Sequence, residues 1–266
     1  MQALETGAFT PEKIAPLFMA VFGSRIFLSL NKEDGIPVTL VSLPTSNASS
    51  AFPKLTPFPS WHMHTYGNCK HIEQAAGLEV DSVGRLWVLD IGSDDCNTKL
   101  WIFDLSNNDQ TVLIHDFPKN VYYLHDLVLD ETPNGYFAYS TQMRNRDNSS
   151  SANTTPMNCV QFPLPHFVTD IEAMLMDNHG TMYAAFWKIN YIISVNMHQP
   201  DQAQSFHKVE KMNSEWPFTF SLDWSGTFWM TFFNYTGKMP TYKLLKAAVG
   251  AKSYMSEPQK TVGPMC

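Results

Sequence analysis

Three histidines lie close together in the sequence and could bind a metal ion. His62 and His64 are separated by one residue, so on a strand both side chains would lie on the same face, and His71 follows soon after. Two imidazoles and a carboxylate could hold zinc. The alternative is a set of ordinary loop or strand histidines with hydrogen-bonded rings. We favour this alternative and predict neither a metal site nor a cofactor.

Acidic residues offer a second possible chemistry. Asp90 follows an apolar run and precedes Gly92, so its carboxylate could point toward an interior channel or form a turn, and we favour the turn. Asp94 and Asp95 are adjacent and are expected in a solvated loop. The chain has no G-x-S-x-G nucleophile motif and no glycine-rich phosphate loop. The residues therefore identify no catalytic group.

Composition narrows the possible partners. The chain has 266 residues, of which 44% are hydrophobic, and this is enough to fill a sizeable core. Its charge is 18 minus 25, or −7, and only 16% of its residues are charged. Such an acidic chain does not suit a phosphate backbone, so we predict no nucleic-acid partner. No apolar run approaches the ~20 residues of a transmembrane helix, so we predict no transmembrane segment.

The cysteines and sequons indicate the cell compartment. The four cysteines are Cys69, Cys96, Cys159 and Cys266. They allow two disulfides in three possible pairings, between which the sequence alone does not choose, and no C-x-x-C zinc pattern occurs. Buried free thiols are the alternative. Four N-x-[ST] sequons begin at Asn47, Asn148, Asn153 and Asn234. Together they favour a secreted, extracellular glycoprotein, with glycosylation expected at Asn47, Asn148 and Asn153.

The N-terminal apolar run resembles a leader only superficially. It covers residues 14–22, and the segment before it carries Glu5, Glu12 and Lys13, a net charge of −1. A signal peptide requires a positively charged segment at this place. We therefore expect residues 14–22 to belong to the mature structure. No leader is evident in this chain, so a leader would lie outside it if the protein is secreted.

Short aromatic runs between Gly, Asn, Asp and Pro clusters predict strands, and the chain is predicted to be all-β. Residues 216–220 and 228–233 are two such runs. A helical spacing of apolar residues surrounds Pro16, and an interior proline disfavours a helix. Residues 242–251 could form a short helix near the C-terminus.

A short pattern recurs along the chain and predicts a β-propeller. Its aspartates are Asp81, Asp130, Asp177 and Asp223, at separations of 49, 47 and 46 residues. In each copy Asp starts a turn through its side chain, and a following Gly supplies a positive φ angle. A period in the forties with strands in every unit is typical of propeller blades. The alternative is a set of generic turns that are evenly spaced.

The repeat also predicts which strands are equivalent. Segments 84–90, 135–140, 180–187 and 226–233 should lie at matching positions of successive blades around one axis. Residues 99–105 and 191–196 are predicted to be the strands that follow in two of the units. Residues 24–30 are expected to form a further blade strand without the Asp-Gly turn, which gives about five recognisable blade centres.

Several stretches resemble the yellow / major royal jelly protein family. They are FPSW at 58–61, GNC at 67–69, VDSVGRLWVLDIG at 80–92, CNTKLWIFDL at 96–105, RIFL at 25–28, GIPVTL at 35–40, WP at 216–217 and GTFWM at 226–230 with Asn234. The resemblance extends over about residues 24–105 and 168–239. It implies a secreted, six-bladed propeller.

The chain departs from that family pattern in length. The region between Tyr139 and Val168 is too short for the family, so about one blade is expected to be absent. We predict either five blades or an incomplete ring. Residues 1–23 are predicted to be an N-terminal lead-in, residues 24–240 the propeller and residues 241–266 a C-terminal tail.

The resemblance also implies site residues. Cys69 and Cys96 occupy positions that the family uses in disulfides, and we expect them to pair with each other, which leaves Cys159 and Cys266. Some relatives bind small aromatic amines at the end of the central channel, and the matching residues here are Thr219, Phe233 and Asn234. Asn234 is also a sequon asparagine, and it cannot be both glycosylated and buried in a channel.

Three functions are compatible with these residues. The first, which we favour, is a non-catalytic extracellular protein that binds small aromatic ligands such as biogenic amines. The second is a dopachrome-converting enzyme of pigment formation, as the family also implies. That reaction needs a general base near neutral pKa, for which a histidine is the natural choice, and no residue identifies it. The third is a structural or nutritive secreted protein.

Overall fold

The structure, a computed structural model, describes residues 13–47, 54–65, 67–119, 121, 124–132, 135–142, 171–179, 181–186, 191–196, 204–208, 215–234 and 241–248. These residues form strands joined by turns, with short 3-10 turns at Thr45–Asn47 and Trp61–Met63, and the described part of the chain contains no α-helix. The strands belong to five sheets, and every paired neighbour within a sheet is antiparallel.

The sheets follow one another along the chain. The first contains β1 (Pro16–Phe22), β2 (Arg25–Leu30), β3 (Leu40–Pro44) and β4 (Thr56–Pro57), and the second contains β5 (Ala75–Val80), β6 (Arg85–Asp90), β7 (Lys99–Asp104) and β8 (Gln110–Asp116). The third contains β9 (Leu124–Thr132) and β10 (Gly135–Gln142), and the fourth contains β11 (Ile171–Met176), β12 (Thr181–Phe186), β13 (Tyr191–Asn196) and β14 (Gln204–Lys208). The fifth contains β15 (Glu215–Leu222), β16 (Thr227–Asn234) and β17 (Thr241–Ala248).

The five sheets surround one axis as a β-propeller. The first strand of each sheet contacts the first strands of the sheets on either side, in the cyclic order β1, β5, β9, β11, β15 and back to β1. The predicted strand segments become β6, β10, β12 and β16, and each is the second strand of its sheet. The all-β propeller prediction is therefore confirmed, with five sheets among the described residues.

The core lies between neighbouring sheets. Phe27, Trp101 and Phe103 are fully buried between the first and second sheets. Trp229 of the fifth sheet packs with Met19 and Ile26 of the first, so the last described sheet closes onto the first through apolar contacts. This closure protects strand edges that an open ring would leave unpaired.

A buried aspartate organises the turn between the first and second strands of a sheet. In the second sheet, Asp81 Oδ1 accepts hydrogen bonds from the backbone N–H groups of Val83 (3.2 Å) and Arg85 (2.9 Å). Asp81 Oδ2 accepts one from Trp87 Nε1 at 2.8 Å, and the Arg85 side chain donates to the same oxygen at 2.6 Å. Gly84 has a φ of 85°, as the repeat predicts.

The same arrangement recurs in the fourth and fifth sheets. Asp177 accepts from the N–H groups two and four residues later and from the hydroxyl of Tyr183 six residues later. Asp223 accepts from the equivalent N–H groups and from Trp229 Nε1, again six residues later. The repeat is thus a carboxylate that caps a turn and holds the aromatic side chain of the next strand.

The looser copy at Asp130 differs from the others. Asp130 lies within β9 and pairs with Phe137, and the ladder continues to the pair Thr132–Gly135. The turn therefore follows Asp130 by two residues and is shorter than in the other sheets. Asn134, predicted to form it, lies outside the described residues.

Both ends of the chain contribute strands to the ring. The helix predicted over residues 242–251 is wrong, because residues 241–248 form β17 and pair with the free edge of β16. Local apolar spacing favoured a helix there, but an open sheet edge offers a full ladder of hydrogen bonds. The predicted boundaries at 23 and 240 exclude β1 and β17, although β1 supplies the innermost strand of the first sheet.

Tight contact between inner strands requires a glycine in β5. A Cβ atom at Gly77 would lie 2.5 Å from the backbone nitrogen of Leu127 and 2.7 Å from the carbonyl carbon of Asp126. Only glycine lets β5 and β9 approach this closely. This contact brings the neighbouring side chains of the two strands to the axis.

We expect Asp81→Ala to lower the free energy of unfolding by about 2–4 kcal/mol, because it removes a buried, charged acceptor with four donors. Urea denaturation followed by tryptophan fluorescence measures the change. Asp94→Ala, at an exposed loop carboxylate, is the matched control and should change stability by less than about 0.5 kcal/mol. Equal effects of the two substitutions would contradict the role given to the Asp81 turn.

Candidate functional site

A small cavity lies on the axis of the ring. Its walls come from the first strand of every sheet, so it exists only because the five sheets meet. Its free volume is about 10 Å³, room for about one water molecule. The lining residues are Phe18, Met19, Leu78, Glu79, Asp126, Ala173, Met174, Leu175, Thr219, Phe220 and Ser221.

Glu79 is one of two carboxyl groups in this cavity. It lies on β5 among apolar neighbours and is half-buried, and its Oε1 accepts a hydrogen bond from the N–H of Val80 at 3.0 Å. Exclusion of bulk water raises the pKa of Glu79 to about 8, and the negative charges of Asp126 and Asp81 act in the same direction. Glu79 therefore retains a proton over much of the neutral range.

Asp126 is the second carboxyl group, on the neighbouring strand β9. It is 4% exposed, and its two oxygens accept hydrogen bonds from the N–H groups of Leu127 and Met174, each at 2.8 Å. The bond to Met174 joins the third sheet to the fourth. Burial raises the pKa of Asp126 to about 7, and the two backbone bonds offset only part of this effect.

Of the ligand residues predicted from the family resemblance, Thr219 lines this cavity. Thr219 is 1% exposed. Phe233 and Asn234 are the last residues of β16, and they pair with Trp216 and Glu215 at the start of β15. Their backbones thus lie toward one end of the ring, while their side chains lie outside the described residues.

Sequence reasoning missed both cavity carboxyls. Glu79 is the only charged residue in the strand AAGLEV, and Asp126 is followed directly by the apolar run Leu127–Leu129. A lone acid in a strand that is otherwise buried is the signal that was available. It was not decisive, because only the ring shows that the two strands are neighbours.

His62 and His64 do not share a strand face, so that expectation is wrong, because a 3-10 turn covers Trp61–Met63 and His64 caps its end. His62 lies in the 3-10 turn Trp61–Met63, and its ring packs on the ring of His71 at 4.9 Å between centroids. His64 Nε2 lies 2.8 Å from the carbonyl oxygen of Phe58, and burial lowers the pKa of the His64 ring. Among the described residues, no group of three or more His, Cys, Asp or Glu side chains is arranged to hold a metal ion.

Asp90 anchors the loops at the start of β5. It is fully buried, and its two oxygens accept hydrogen bonds from the N–H groups of Glu73, Gln74 and Gly92 and from Trp101 Nε1. Asp90 is therefore a turn-forming residue, the alternative we favoured, and it is absent from the cavity lining. Asp94 and Asp95 are exposed in the loop that follows, as expected.

The predicted disulfide between Cys69 and Cys96 is confirmed, with a Cα–Cα distance of 5.1 Å. It joins the loop before β5 to the loop between β6 and β7, on the side where Asp90 lies. Cys159 and Cys266 lie outside the described residues. Of the predicted glycosylation sites, Asn47 ends the 3-10 turn Thr45–Asn47, and Asn148 and Asn153 lie outside the described residues.

Comparison with a family model gives one match. Residues 74–147 match the major royal jelly protein family. This segment includes β5–β10, and therefore both cavity carboxyls, the Asp81 turn and Cys96. Within the described part of the chain, no helix has the length and hydropathy of a membrane-spanning segment.

The chain is 38% identical over 94 residues to "Protein yellow" of Drosophila melanogaster, and 37% identical over the same length to that of Drosophila pseudoobscura pseudoobscura. Each match covers 35% of this chain and only 17% of the relative, so the chain spans a small part of these proteins. A GH43_1 enzyme from Xanthomonas citri, solved with xylose, is similar over 99% of this chain and 98% of its own, with 13% identity and a TM-score of 0.47.

Glu79 should make the stability of the protein depend on pH. Its pKa rises from an ordinary value of 4.5 to about 8 on folding, so the folded chain binds this proton more tightly than the unfolded chain. Its stabilising contribution is complete below about pH 4.5 and is lost as the pH rises to about 8. The free energy of unfolding of the wild type should decline between about pH 6 and pH 9. We expect Glu79→Gln to reduce this decline by about 2 kcal/mol.

Denaturant unfolding of the wild type and the variant across this pH range measures the effect. Asp94→Asn, at an exposed carboxyl, is the control and should follow the wild-type curve. Parallel curves for Glu79→Gln and the wild type would contradict a proton held at Glu79.

Proposed function

We propose that this chain is a secreted protein of the yellow / major royal jelly protein type, whose family model residues 74–147 match, and that it binds small aromatic amines without transforming them. One observation carries this proposal. The axial cavity contains two carboxyl groups beside aromatic and methionine side chains, and none of its described lining residues is Lys or Arg. Such a cavity favours a cationic group attached to an apolar body.

The size of the cavity decides how an amine would bind. With room for about one water molecule, it admits an ammonium group but not an aromatic ring. The ammonium group would donate hydrogen bonds to Glu79 and Thr219, while the ring lies at the mouth, beside Phe233 and Asn234. Ring contacts there would contribute about 0.5–1.5 kcal/mol each.

Secretion is the second part of the proposal. The Cys69–Cys96 disulfide suits an oxidising compartment, and the sequons at Asn47, Asn148 and Asn153 suit a glycoprotein. Amine binding requires Asn234 to remain unmodified, although it begins a sequon of its own. The proposal therefore assigns glycans to the other sequons only.

Dopachrome conversion is a second candidate, in which the substrate ring would react at the mouth of the cavity, because the cavity itself does not admit a ring. A tautomerisation requires one group that removes a proton and can return it, and the best pKa for that group lies near the working pH. Glu79 and Asp126, with pKa values of about 8 and about 7, meet this requirement better than the histidine expected from sequence. A spectrophotometric assay of dopachrome decay, repeated with Glu79→Gln, tests this candidate.

We expect micromolar binding of serotonin, dopamine or histamine to the purified protein in isothermal titration calorimetry. Thr219→Val should weaken binding about tenfold, because a hydrogen bond of about 1.4 kcal/mol is lost. Asn234→Ala should also weaken it. Thr111→Val, on the exposed strand β8, is the matched control and should bind as the wild type does.

Other results would separate the candidates. Turnover of dopachrome that Glu79→Gln abolishes would favour the enzyme. Absence of both binding and turnover in a folded protein would overturn both and favour the structural or nutritive role.

A further inference from the structure

We propose that the axial cavity is a proton-exchanging subsite, in which a primary ammonium group displaces a proton held by one of the two cavity carboxyls, Glu79 and Asp126. Binding of the amine would release a proton, and affinity would rise with pH. This inference rests on the proposed function, since it specifies how the same cavity takes the charged end of the ligand.

The ring brings two acids together without a counter-charge. Glu79 is on β5 and Asp126 is on β9, and these strands are in direct contact where Gly77 meets the backbone of Asp126. The other described titratable groups around them are Asp81, at the turn after β5, and His125, whose ring packs edge-on against Phe18. Burial lowers the pKa of His125, so it too favours the neutral form.

The hydrogen bonds inside the cavity leave acceptors for a ligand. One oxygen of Glu79 accepts a hydrogen bond from the N–H of Val80, while both oxygens of Asp126 accept backbone N–H groups. The hydroxyl of Thr219 lies in the lining of the same cavity, and a hydroxyl oxygen can accept a hydrogen bond. An ammonium group has three donors and can donate to the carboxyl oxygens and to this hydroxyl.

Electrostatics then links binding to proton release. Two acids in one enclosed site cannot both ionise without cost, and with pKa values of about 8 and about 7 they share at least one proton near pH 7. A cation beside them lowers both pKa values, so the proton leaves to solvent as the ammonium group enters. A primary alkylamine stays protonated up to about pH 10, as lysine does, so the released proton comes from the protein.

The dependence on pH has a defined form. Where the cavity is protonated, each released proton makes the affinity rise up to tenfold per pH unit. The rise should therefore be steep between about pH 5.5 and pH 7, and it should level off above about pH 8, where the cavity is already ionised.

Serotonin binding to the full chain tests this inference by calorimetry at pH 7 in two buffers, phosphate and Tris, that differ in ionisation enthalpy. The difference in apparent binding enthalpy gives the number of protons released, and we expect roughly one per amine. Titrations from pH 5.5 to pH 8.5 give the affinity profile. Asp126→Asn and Glu79→Gln should each reduce proton release and flatten the profile, whereas Asp94→Asn should leave both unchanged.

The outcomes separate this inference from the function on which it rests. Binding with the same enthalpy in both buffers and a flat pH profile would overturn the proton exchange but leave amine binding intact. A folded wild-type protein that binds no amine at any pH would overturn both. If Glu79→Gln fails to fold, the two-buffer measurement on the wild type and Asp126→Asn still decides the question.

Discussion

Three buried carboxylates, Asp81, Asp177 and Asp223, set the geometry on which the ring depends. Each caps the turn after an innermost strand and accepts a hydrogen bond from the aromatic side chain six residues later. The inner strand, the turn and the second strand thereby become one unit. Because the innermost strands form the wall of the axial cavity, a carboxylate at the turn also fixes the position of the residues that face the axis.

Ring closure also brings together two acidic side chains whose burial lowers the stability of the folded protein. Gly77 lets β5 and β9 approach so closely that Glu79 and Asp126 lie in the same enclosed cavity. Burial favours the neutral form of both acids. Their ionisation as the pH rises therefore lowers the free energy of unfolding. Apolar packing between neighbouring sheets, such as that of Trp229 against the first sheet, offsets this cost. Unfavourable acids held in place by a rigid frame are typical of functional sites.

The loops at the start of β5 are held by hydrogen bonds and a disulfide. Asp90 holds three backbone N–H groups and the indole of Trp101, and the Cys69–Cys96 disulfide ties the same loops covalently. Asp90 accepts four hydrogen bonds from the protein itself, whereas the described hydrogen bond of Glu79 in the axial cavity is the one from the N–H of Val80. This difference in hydrogen bonding separates a structural polar cluster from a candidate site.

The sequence by itself determined the local rules. The Asp-to-Gly spacing predicted the turns and their period, the aromatic runs predicted the second strands, and the family motifs implied the disulfide. It did not determine that residues 241–248 form a strand, because the free edge of β16 overrides local spacing. Nor did it reveal the cavity acids, since Glu79 and Asp126 are 47 residues apart in sequence. Their place in one cavity, and the perturbed pKa values that follow, arise only when the sheets meet at one axis.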